Sequence, residues 1–309
     1  EYLDDKKIQL YLGKVFKENH KDVLDQIKYK GLLDIARIPL FLKFICDLLL
    51  RPESLPDTKG KLLERMIEVK YIYGYEGRLD HKYEVPEGLI LEVLSEFCYS
   101  FVKDERGVAF EIKDLQDFIQ TKLKWIKRFS TEKIISEIKW HGLIQGYAMT
   151  YSFWHQTILE YFAARCLKEV IESEYKRHEK ISLRTFIEHF RYKKWDDILS
   201  IFFDLISKNL KEKIVSTFFV KSESNDYIRI NLLLDISKSA RAPDPCIDLL
   251  KHKDPDVRRS ATDALGGLKP EKAVEPLIQL LKDEDPDVRR SAVDVLGEIK
   301  SEKAVEPLI

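Results

Sequence analysis

Apolar residues recur at helical spacing through almost the whole chain, and turn-forming residues mark the breaks. Asp4–Asp5 can cap a first helix carrying Ile8, Leu12, Val15 and Phe16, and a second begins near Lys21 with Val23, Leu24 and Ile27. A third is read over 34–50, nearly all apolar after Pro39 and therefore buried. The prolines and glycine of 51–60 make a loop, helix resumes over 61–75, and 77–88 is a second break. Beyond it, Leu89, Val93, Leu94, Phe97 and Phe101 share one helical face, and Gly107–Phe110 fits a short strand. Leu115, Phe118, Ile119 and Leu123 predict the next helix, and Ile134, Ile135 and Ile138 another, capped by Ser130 or Thr131. At 142–155 the pattern becomes two short β-type runs around Gly146, a hairpin. Helix returns over 155–171, and 172–240 reads as helices with loops, including 195–206.

The C-terminal pattern is a repeat. Residues 254–278 return as 285–309, an offset of 31, with 20 of 25 aligned positions identical. A period of this length marks stacked supersecondary units. Asp254 and Asp285 are N-caps, with Pro255 and Pro286 at the first helical position, where a missing N–H costs nothing. Val257, Ala261 and Leu265 lie on one face, and Gly266–Gly267 and Gly297 are read as the helix stop. A second helix follows with Ala273, Val274, Leu277, Ile278 and Leu281 inward; Pro276 must lie in its first turn, since deeper it costs about 3 kcal/mol. One such hairpin cannot bury its own stripe, so neighbours must stack. The residues and period resemble HEAT repeats, and 242–253 is similar to the second helix of a degenerate repeat. Arg258–Arg259 and Arg289–Arg290 are read as a solvated or Asp-paired face rather than a ligand ladder. The sequence stops in mid-repeat and begins at Glu1 rather than Met, so both ends are expected to be cut.

With 309 residues there is room for two or three domains. Lys and Arg total 52 against 53 Asp and Glu, which gives no global pull toward nucleic acid. Cys46, Cys98, Cys166 and Cys246 sit far apart in apolar stretches, as buried thiols of a reducing, cytoplasmic compartment do. The longest apolar run, Ile38–Leu50, contains Lys43 and Asp47 and is too short to span a bilayer; there is no signal peptide.

No catalytic constellation emerges. GxxxxGK[ST] is absent, since Gly60-Lys61 is followed by Leu62, and no strand ends in paired acidic residues for Mg²⁺. HExxH, CxxC and GxSxG are missing, and the seven histidines have no ligand spacing. This chain alone reads as no enzyme, with no catalytic and no metal-ligating residues.

Three helices with a hairpin at the end is the order of a winged helix, and here a resemblance enters. YSFWHQTILEYFAARCL, 151–167, looks like the signature closing the winged-helix domain of NACHT-type signalling ATPases of the STAND class. LDIARIPLFLKFICDLL, 33–49, resembles that family's first helical domain, which follows the ATPase core. LDDKKIQLYLGKVF, 3–16, is similar to the stretch just upstream, and KKWDDILSIFFDLI, 193–206, to an element beyond the winged helix, with Asp197 where the family has Glu.

The resemblance implies a mainly α chain: a helical domain at 1–75, a winged helix with a small hairpin at 76–165, a second helical region at 166–240, and an α-solenoid of HEAT repeats at 241–309. It implies that Pro39 packs on the adenine and that His155 reaches the β-phosphate of ADP, locking a resting state. ADP or ATP with Mg²⁺ then belongs to a full-length parent that the resemblance implicates in defence or signalling, with an NTPase core preceding Glu1 in cis, a partner protein on the HEAT repeats and oligomerisation on activation. No nucleotide or Mg²⁺ is expected for this fragment alone. The alternatives are plain: Pro39 starts a buried helix, and His155 caps its own. A HEAT scaffold without nucleotide is the second reading. DNA binding through Lys122, Lys124, Lys127, Arg128, Lys133 and Lys139 is the third, disfavoured by Glu132 and Glu137 and by a near-neutral chain.

Overall fold

The computed structural model describes residues 2–51, 54–73, 85–104, 106–122, 128–178, 195–207, 209–211, 213–214 and 244–299. Leu123, Lys124, Lys127, most of the 77–88 break, most of 207–240 and the repeat's final residues 300–309 lie outside these. The chain forms two compact units, Glu1–Glu169 and Val170–Ile309, each described by itself. Both are mainly helical.

In the first unit, α1 (Asp5–Phe16) starts at Asp4, whose carboxylate accepts the Lys7 N–H at 2.8 Å, and it buries Ile8 and Leu12. α2 (His20–Tyr29) buries Val23, Leu24 and Ile27. The helix expected over 34–50 is instead two, α3 (Leu33–Ala36) and α4 (Pro39–Leu49). The break has a local cause: a residue before proline is pushed out of helical geometry, and Ile38 is extended at φ −92°, ψ 118°. Arg37 secures this corner, donating to Asp5 at 2.8 Å while its carbonyl accepts the Leu3 N–H at 2.7 Å. α5 (Lys59–Tyr73) follows the loop.

The next elements run α6 (Glu87–Lys103), β1 (Ala109–Glu111), α7 (Ile112–Lys122), α8 (Thr131–Trp140), β2 (Gln145–Tyr147), β3 (Thr150–Ser152) and α9 (Gln156–His178). The strands form an antiparallel sheet in the order β1-β3-β2, with Phe110 opposite Tyr151 and Gly146 opposite the same residue. Ser130 caps α8 by accepting the Lys133 N–H. The hairpin turns at Ala148–Met149, not at Gly146; Ala148 takes a left-handed φ of 55°. Gly146 lies inside β2 because the partner strand is too close for a side chain, a Cβ there falling 2.2 Å from the Thr150 carbonyl oxygen. Phenylalanines tie these elements together. Phe97 meets Phe101, Phe110 and Phe118 at 5.2, 5.1 and 5.5 Å, and Phe153 links Phe110 to Phe162 of α9.

In the second unit, α10 (Asp196–Leu205) buries Ile198, Leu199, Ile201, Phe202 and Phe203. α11 (Asp244–Leu249) packs on α12 (Pro255–Leu268), which a 3₁₀ turn at Glu271–Ala273 joins to α13 (Val274–Leu280); α14 (Pro286–Ile299) then lies along α12. Caps and prolines fall where expected: Asp254 accepts the Asp256 N–H, and Asp285 those of Asp287 and Val288. Two expectations change. Leu280 rather than Leu281 completes the buried side of α13. The glycines do not stop the helices, because α12 runs through Gly266 and Gly267 and ends with Lys269 left-handed at φ 47°. Gly266 is instead a contact glycine, since a Cβ there meets the Val295 side chain of α14 at 3.0 Å.

Candidate functional site

Among the described residues, two places concentrate polar chemistry on built geometry. The first is the junction between β3 and α9. His155 precedes α9, and its Nδ1 accepts the Thr157 backbone N–H at 3.1 Å, with the Thr157 hydroxyl 3.0 Å away. An N–H can only donate, so the neutral ring carries its proton on Nε2 and keeps one donor there. Burial lowers the His155 pKa below its ordinary value, and the positive charge of Lys59, at the start of α5, lowers it further. The ring stands edge-on to Phe41 of α4 with centroids 5.9 Å apart. Neither Phe41 nor Lys59 was singled out in the sequence; Lys59 lies in a loop-to-helix stretch whose nearness to residue 155 has no local signal.

Pro39 begins α4 and lines a pocket of about 240 Å³ with Leu3, Leu10, Tyr11 and Leu42, to which Lys7 and Lys14 add charge. A step of two residues turns about 200° round a helix, so Pro39 and Phe41 face different sides of its first turn. The two residues expected to contact nucleotide therefore share one helical turn through Phe41, with Pro39 toward α1 and His155 on the other side.

The second place is the repeat. Arg258 and Arg259, alike in sequence, separate completely. Arg258 is buried: its Nε and Nη2 donate to Asp283, both at 2.8 Å, and its Nη1 to the carbonyls of His252 and Lys253 at 2.8 and 3.0 Å. Arg259 lies outside, paired with Asp256 at 3.3 Å. Asp283 also accepts the Asp285 N–H at 2.9 Å, so one carboxylate joins the turn before α14 to α12. Burial alone raises the Asp283 pKa, but the bonds from Arg258 and the Asp285 N–H outweigh it, and the carboxyl sits below its ordinary value. The Arg258 guanidinium is correspondingly held more firmly protonated by that bond.

Other candidates dissolve into the framework. The four cysteines form no disulfide and are buried, and burial pushes Cys46 and Cys166 up to about 12, far from thiolate reactivity at neutral pH. Lys139 of α8 lies over the Tyr151 ring at 4.3 Å. Among the described residues, no group of three or more His, Cys, Asp or Glu is placed to hold a metal, and no helix is long and apolar enough to cross a membrane.

Residues 243–309 match the family model for HEAT repeats. No curated protein matches the chain. The C-terminal region is therefore of a type that serves as a protein-interaction scaffold.

Proposed function

We propose that the chain is the regulatory part of a cytoplasmic, nucleotide-switched signalling ATPase of the NACHT type. In this reading residues 76–165 are a winged helix that holds the ADP-bound resting state through His155, and the HEAT repeats dock a partner protein. The supporting observation is the junction itself. A helix–strand–helix–helix–strand–strand order brings His155 to the start of α9, with a proton on Nε2, near the charge of Lys59 and against the helix that Pro39 begins.

Each of the two residues is assigned a separate part of the nucleotide, since they lie on different sides of the first turn of α4. A donor beside a cation suits a phosphate oxygen, and the N-terminus of α9 adds positive potential. The apolar lining around Pro39 suits the face of a base. The loop that cradles the phosphates and the ligands of Mg²⁺ are assigned to an NTPase core preceding Glu1, and this chain alone turns over no ATP. Partner binding on the HEAT repeats would disfavour the clamped state, a population shift that requires different affinities for the two states. The parent gene tests this directly: it should encode GxxxxGK[ST] upstream of Glu1, and its absence there ends the ATPase reading.

A scaffold without nucleotide is favoured by a separate observation, the HEAT match together with the Arg258–Asp283 clasp that stiffens the array. It expects partner binding indifferent to ADP, where the switch expects ADP to weaken it.

A further inference from the structure

We draw no further inference here: the strongest candidate, the apolar pocket between α1 and α4 lined by Leu3, Leu10, Tyr11, Pro39 and Leu42, belongs to the site already described, and nothing in the structure shows what else would cover it.

Discussion

Removing the carboxylate of Asp283 tests the reading of the repeat most sharply. Asp283→Ala deletes two charge-assisted bonds of 2.8 Å from Arg258 and the acceptor for the Asp285 N–H. Both partner side chains are only 8 % exposed, so water does not replace what is lost. Truncating one member of a buried pair costs about 3–5 kcal/mol because the other charge is stranded. Here Arg258 retains two carbonyls through Nη1, and Glu284 lies 3.4 Å from Nη2. The lower end, about 3 kcal/mol, is therefore expected. The four tryptophans (125, 140, 154 and 195) all lie before the repeats, so fluorescence is blind to this region. Hydrogen exchange of the 255–299 amides is the assay, and it should quicken about 100-fold, given tenfold per 1.4 kcal/mol. Replacing both partners, Arg258→Met with Asp283→Leu, should recover most of the loss. Lowered pH should imitate the single variant: the carboxyl's native pKa lies below its ordinary 3.8, so its contribution is present above that value and lost as pH falls through the native one. Exchange in Asp283→Ala within about threefold of wild type would refute the clasp as a source of stability.

The two glycines of α12 should part company. Gly267→Ala, in open space, should stabilise by about 1 kcal/mol through helix propensity, whereas Gly266→Leu should destabilise by about 1–3 kcal/mol by overpacking Val295, both read from the same exchange. For His155, burial and Lys59 depress the native pKa, so its stabilising effect is complete above the ordinary 6.5 and is lost as pH falls toward the native value. The stability advantage of wild type over His155→Gln, measured by urea unfolding with Trp140 and Trp154 fluorescence, should shrink across that window. The purified 309-residue chain should show no ATP turnover in a phosphate-release assay; sustained release above a blank would contradict the assignment of catalysis to an upstream core.

Elements with local causes were legible. Asp254 with Pro255, Ser130 before α8, and the period-two stretch before His155 all fold as their residues dictate. Elsewhere a correct local signal was given the wrong role. Pro39 is plain in the sequence, but its effect on Ile38, which divides α3 from α4, does not show in the apolar pattern of 34–50. The glycines of α12 were read as a stop although a kept glycine beside a replaced one, Gly297 and Glu298, already separated contact from tolerance. Arg258 and Arg259 are identical as residues, and only helical phase decides that one enters the interface and the other meets water. The neighbours of His155 were out of reach, because Phe41 and Lys59 come to it through tertiary packing from positions about a hundred residues earlier.

The most direct measurement of the central claim is ADP affinity of the full-length protein, wild type against His155→Ala, by calorimetry in the absence of partner. The account expects loss of one hydrogen bond to a charged phosphate, about 1.5–3 kcal/mol, a weakening of roughly 10–150-fold, with folding unchanged by circular dichroism. Equal ADP affinity in the two proteins, or none in either, would contradict it and leave His155 as the cap of α9 alone.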